Sequence, residues 1–384
     1  VKVVAPSTAN DQLLYFTSPS LTADGRRLVF ISDRGDGGQP NLWSVDRQTG
    51  AALQLTDNRA GRLRSYVYFN GNDRRGLGLA SPSLHAASGT LYFVEGTLVQ
   101  SVDANSGRLR TIAELPADEM TAFTHISDDG RWLCVPTIDR RAFEHDGKLE
   151  SYDRAVQVLG LSSHIRVFDT ASGGQTLDLP VERGWVTHVQ FRPGRPEQIL
   201  FNHEYCSDSG VRRMWLWDGR SIRCLRTESS RRQRADWVCH EIWTHDGDRV
   251  IYHGRYADGP AFVGRLDPDG DECIEIAFPD HYTRYGHFTA SPRDDRLVTD
   301  GYYESPDGTD TGWGGRWISV VTPDWAAGTL VWSPLCTHGS SWRTQDEHPH
   351  PVFSHDASNI LFTSDRSGRR QVYAVPSCRL PSES

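Results

Sequence analysis

Lysine is almost missing from this 384-residue chain, occurring only at Lys2 and Lys148, and methionine occurs only twice. Nearly every cationic side chain is therefore an arginine, so recognition of an anion would fall to the planar, bidentate guanidinium fork. Long apolar runs are also lacking. The most apolar window, residues 317–332, is broken by Pro323 and Asp324, which excludes a spanning helix and gives no membrane partner. Dense basic runs do not occur either, and the formal charge is −9, which argues against general nucleic-acid binding. The seven cysteines are odd in number, scattered, and without any C-x-x-C spacing. They read as free thiols in a reducing compartment rather than a disulfide frame, and a cytoplasmic location is expected. The chain starts at Val1 without an initiator methionine, which leaves a removed leader open.

What is abundant is one phrase, repeated. "FTSPSLTADGRRLVFISDR" (16–34) and "HPHPVFSHDASNILFTSDR" (348–366) each read as a strand, an Asp-containing turn and an alternating apolar strand ending in Ser-Asp-Arg. Looser copies begin near residues 81, 122, 186, 239 and 286, and most are followed by a third strand and a second turn, as in "NLWSVDRQTGAALQL". Short strands at a mean repeat of about 55 residues indicate four-stranded blades, and seven units predict a seven-bladed β-propeller occupying residues 1–384 as a single domain. One segment, residues 137–163, is too long for a turn. Its "SYDRAVQVL" predicts a short helix with Tyr152 and Val156 on one face, in a rim or lid over the channel.

In a propeller the first strand of each blade lines the central channel. Aligning first strands on their turns places His188, His240, His287 and His350 at one position in four consecutive blades; His125, one blade earlier, is offset by two residues and reads as a structural histidine. Four of the 15 histidines at one register position point to a site. In "QDEHPHPVF" (345–353), the prolines are expected to hold His348 and His350 extended, with both rings on one face. Gln345 leads into that face and His287 comes from the adjacent blade. Three imidazoles and an amide oxygen suit Mn²⁺, Fe²⁺, Co²⁺, Ni²⁺ or Zn²⁺, and geometry is needed to choose. With no carboxylate among them, the metal would keep its charge and attract an anionic substrate. Trp-rich loops such as 301–317 offer rings for stacking on sugars, although tryptophans in propellers more often pack between blades.

These motifs carry a resemblance. "NHEYCSDSGVRRMWLW" (202–217), "CHEIWTHDG" (239–247), "GHFTASPRDDRLVTDG" (286–301) and "SSWRTQDEHPHPVFSHDASNILFTSD" (340–365) occur in the order seen in oligogalacturonate lyases, polysaccharide lyase family 22, which the chain resembles over nearly its whole length. The resemblance implies a seven-bladed propeller, Mn²⁺ held by His287, Gln345, His348 and His350, and β-elimination on short uronic-acid oligosaccharides. It further implies that His240 is the general base and that Arg213 serves the substrate. His188 and His203 are expected near the same substrate. The chain departs from the family in its first strand, "ANDQLLYFTSPSL" (9–21), so a lyase for glucuronate-containing oligomers remains open beside one for galacturonate. The rivals from other classes are a non-catalytic TolB-like binding propeller and a hydrolase that uses its metal to activate water.

Overall fold

The recurring turn explains why each blade folds locally. In the segment Thr22–Arg27, the Asp24 carboxylate accepts hydrogen bonds from the Thr22 hydroxyl and the Arg26 amide, and Gly25 takes a φ of 65°. The same arrangement returns at Ser127–Asp129–Gly130 and Thr244–Asp246–Gly247. It returns again at Ser354–Asp356–Ala357, where alanine accepts the left-handed φ of 57° that glycine takes elsewhere. A short acceptor two residues before the reversal fixes the hairpin, so strand register is set within each blade.

The computed structural model describes residues 2–35, 38–61, 82–143, 150–204, 211–226, 236–279, 286–301, 316–343 and 345–378. Among them, the strands form seven antiparallel sheets, six of four strands and one of five. The fold is the seven-bladed β-propeller expected from the repeats. By contacts the chain divides into two compact units, residues 1–17 with 232–384, and residues 18–231.

The first unit contains blades five, six and seven. Blade five runs through Trp237–Trp243, Val250–Arg255, Ala261–Leu266 and Cys273–Ala277, and blade six through Phe288–Ala290, Leu297–Thr299, Trp317–Asp324 and Thr329–Thr337. Blade seven has Val352–Phe353, Asn359–Ser364 and Gln371–Pro376, and takes its outermost strand, Lys2–Val3, from the start of the chain, with Lys2 opposite Ala374. Val298, Ile318, Val320, Ile360, Phe362 and Tyr373 interleave into one buried cluster, each such side chain contributing about 1.5–3 kcal/mol by leaving water.

The second unit holds the earlier blades. Its fourth blade consists of Val189–Arg192, Arg195–Asn202, Met214–Trp217 and Ile222–Cys224. Cys134, Ile165, Val189, Phe191, Ile199 and Phe201 form the apolar layer between this blade and the third. The insertion contains the expected helix, Glu150–Leu159, which buries Val156 fully and ends at Gly160 with a φ of 63°. The Tyr152 side chain lies outside what is described, as do residues 302–315 of the Trp-rich loop. Among the described residues no helix is long and apolar enough to cross a membrane. Six cysteines are described, and all are free thiols.

Candidate active site

Position in the blade decides which side chains meet. In blades four and six the pairing is regular at the histidine end of the first strand, so the carbonyls of His188 and His287 accept the amides of Asn202 and Asp300 opposite them. Blades five and seven carry an extra residue. Cys239 faces His253 and Ile242 faces Ile251, leaving His240 and Glu241 opposite Tyr252 alone. In blade seven, Thr363 donates to the Pro349 carbonyl while Val352 faces Leu361, so His350 and Pro351 together oppose Phe362. Each insertion is a β-bulge, and its first residue takes the left-handed region: φ is 52° at His240 and 45° at His350. His350 is thus not extended as its following proline suggested. The bulge overrides the local preference, and the Asp300 Oδ2 atom fixes it by accepting the His350 amide at 3.1 Å. His348 and His350 also precede the strand, which begins at Val352.

The three imidazoles converge. One ring nitrogen from each of His287, His348 and His350 lies within 4.8 Å of the others. The ring centroids of His287 and His350 are 4.1 Å apart, and that of His348 is 5.2 Å from His287. Asp300, fully buried, orients the set. Its Oδ1 accepts the His287 amide at 2.5 Å and its Oδ2 lies 3.3 Å from His287 Nδ1, so Nε2 is the atom of that ring that a metal would take. Gly286 permits this approach, because a Cβ there would meet Asp300 Oδ1 at 2.1 Å. Burial pushes the Asp300 carboxyl up, against the pull of His350 and the His287 amide. Burial first, and the neighbouring His287 ring second, push His348 down to about 3, and His350 is lowered for the same reasons. Both rings therefore present neutral nitrogens, the state a metal requires.

Whether a metal fits can be judged from the orphaned atoms. Among the described residues, His348 Nδ1 and His350 Nε2 are buried without a hydrogen-bond partner, a cost of about 1–3 kcal/mol each that a cation would remove. Trp342 packs on His348 with centroids 4.1 Å apart, and Tyr15 and Phe16 lie 5.2 and 6.5 Å from His350, giving the site an apolar wall. The residues fit a divalent transition metal. Gln345 begins the short 3-10 turn Gln345–Glu347 that leads into this face, and its side chain lies outside what is described.

His240 stands beside the cluster, its ring centroid 4.6 Å from that of His287. Its Nδ1 lies 2.8 Å from Nε2 of His253, a fully buried ring, so the two histidines share one hydrogen.

The second unit carries its own polar cluster. Glu204 accepts from the Thr187 hydroxyl at 2.6 Å, from the Asn202 amide at 2.9 Å and from Arg213 Nη1 at 3.2 Å. Arg213 Nη2 also lies 3.3 Å from His188 Nδ1, and Phe123 stacks on the His188 ring at 5.0 Å. Burial raises the Glu204 carboxyl, but Arg213, His188 and the Thr187 hydroxyl outweigh it and hold the group at about 2. His203 lies between Asn202 and Glu204 in sequence and so projects to the other face, where it packs 5.4 Å from Trp215 and is lowered to about 4 by burial. His125 accepts the Phe191 amide at 3.2 Å, a structural role.

Asp300, His253, Asn202 and Glu204 escape a reading centred on first strands. Their signal is in the second strands: "ILFN", "VIYH", "LVTD" and "ILFT" place Asn202, His253, Asp300 and Thr363 at one register position.

No family model matches the chain. Two curated relatives do. An oligogalacturonide lyase of Pectobacterium atrosepticum is 24% identical over 375 residues, spanning 94% of this chain and 88% of the relative. An oligogalacturonate lyase of Dickeya dadantii is 25% identical over 372 residues, with the same coverage. A solved oligogalacturonate lyase in complex with manganese matches with a TM-score of 0.78 at 23% identity, covering 99% of this chain and 93% of that one. The oligogalacturonate lyase from Vibrio parahaemolyticus matches with the same TM-score at 20% identity. In sequence and in fold, over nearly its whole length, the chain is similar to these oligogalacturonate lyases.

Proposed function

We propose that the protein is a metal-dependent lyase that cleaves short uronic-acid oligosaccharides by β-elimination, with Mn²⁺ as its metal. The observation that carries this reading is the convergence of one ring nitrogen each from His287, His348 and His350, with His240 beside them. The lyase relatives support it at the level of substrate class.

His287, His348 and His350 would hold the metal, with Gln345 proposed as the fourth donor. When bound, it supplies a cation for the C6 carboxylate, so that negative charge developing at C5 is stabilised in a water-poor site. His253 holds His240 by its Nδ1, which presents Nε2 to the substrate. His240 takes the C5 proton, the C5 electron pair forms the C4–C5 double bond, and the C4–O4 bond breaks with its electrons on the leaving oxygen. Arg213 and His188 are proposed to bind the oligomer, Arg213 through its planar guanidinium fork.

A uronide panel incubated with protein and Mn²⁺ tests this, read by absorbance of the conjugated double bond in the unsaturated product. Product from at least one galacturonate or glucuronate oligomer is expected, and which one forms separates the two substrate readings. Saturated products, or none from any member, would sink the lyase assignment.

A further inference from the structure

The blade-five bulge also positions a thiol. Successive residues of a strand face opposite sides. The extra residue breaks that rule here, since Cys239 stands directly opposite His253 in the ladder and shares its face, while the left-handed backbone at His240 turns the next ring onto the same point. One ligand atom from each of Cys239, His240 and His253 lies within 4.8 Å of the others. His253 is fully buried and Cys239 is only 9% exposed, so the group is largely dry, with His240 partly open on one side.

We propose that Cys239, His240 and His253 form a second metal site, selective for a thiophilic divalent cation such as zinc, whose occupancy switches off the base. Sulfur with two imidazoles is a soft donor set, whereas the His287, His348 and His350 set has no thiolate and leaves harder cations competitive. Three protein ligands leave a fourth position for water.

The switch follows from proton bookkeeping. A neutral imidazole carries one ring hydrogen. With Nδ1–H of His240 directed at His253, it is the Nε2 lone pair that takes the substrate proton in the proposed reaction. A cation on Nδ1 moves that hydrogen to Nε2, while His253 keeps its own hydrogen on Nδ1 and offers Nε2. Cys239 loses its thiol proton to solvent, so one proton is released for each cation bound. His240 then has no lone pair for C5–H. This consequence rests on His240 being the base; the existence of the site does not.

Cobalt reports the site without substrate. Protein already loaded with Mn²⁺ is titrated with Co²⁺ and followed by the near-ultraviolet thiolate-to-cobalt charge-transfer band, in the wild type and in Cys239→Ser. The expected result is a band saturating at one equivalent in the wild type and absent in the variant. Zinc should inhibit turnover without relief by excess Mn²⁺, and the variant should need on the order of 10- to 100-fold more zinc. Should Cys239→Ser fail to fold by circular dichroism, His253→Gln replaces it and must weaken cobalt binding by a similar factor. A wild type without the band, a band unchanged in the variant, or equal zinc inhibition of both proteins overturns the proposal. If no uronide is cleaved while the band behaves as stated, the lyase reading fails and the metal site stands.

Discussion

Two buried carboxylates show how differently similar blade positions can be used. Glu204, in the second unit, meets the guanidinium of Arg213, and the pair is completed by Thr187 and Asn202. Asp300, in the first unit, accepts the backbone amides of His287 and His350 and lies beside the His287 ring, with no arginine bonded to it among the described residues. The carboxyl of Glu204 is held at about 2, whereas that of Asp300 is pushed up. One centre carries its own positive charge and is closed within the chain. The other presents unpartnered imidazole nitrogens and becomes electrostatically complete when a cation joins them. The first arrangement is an ion pair satisfied by the chain's own side chains; the second offers the imidazole set proposed to take a metal.

The contrast is breakable by substitution. Glu204→Gln should give the largest effect, because it leaves Arg213 buried without its counter-charge, and a loss of about 3–5 kcal/mol in unfolding free energy is expected from denaturant titration. The loss should be the same with or without Mn²⁺. Asp300→Asn should do the reverse. Its side-chain oxygen can still accept the His287 amide but its NH2 would face the His350 amide, so a loss of about 1–3 kcal/mol is expected, smaller than for Glu204→Gln, while metal affinity falls by roughly 10- to 100-fold in calorimetric titration. Equal effects of metal on both variants would erase the distinction.

Acid separates the centres more gently. Because the folded Glu204 value is depressed from 4.5 to about 2, its contribution to stability is full above the unfolded value and fades as pH falls through about 2. Melting temperature measured from neutral pH downward should therefore decline more steeply below the unfolded carboxylate range in the wild type than in Glu204→Gln. Parallel curves would show that the ion pair is not the acid-sensitive element.

Much of this was legible in the sequence because blades are short-range objects. The Asp-containing turns at Thr22–Arg27 and Ser354–Asn359 fix their own strands, so counting turns counted blades. Aligning first strands brought His287 and His350 to within one residue of the same position, although in the ladder Pro349, not His350, stands where His287 does. Bulges were not legible. The left-handed conformations of His240 and His350 depend on partners from other strands, Asp300 in the case of His350, while the local proline argued for extension. His253 and Asp300 were missed for a related reason: their meaning comes from the ring opposite them, which no single segment shows. The outermost strand of blade seven, supplied by Lys2–Val3, is a closure across the whole chain length and leaves no local mark.

The central claim is that metal binding and proton abstraction are assigned to different histidines on neighbouring blades. Metal content and uronide turnover measured together on His350→Ala and His240→Ala test it most directly. His350→Ala should lose both the bound Mn²⁺ and activity, whereas His240→Ala should keep its Mn²⁺ and lose about 10²- to 10⁴-fold in kcat. A His240→Ala protein that turns over at the wild-type rate, or a His350→Ala protein that still holds Mn²⁺ and works, would contradict the account.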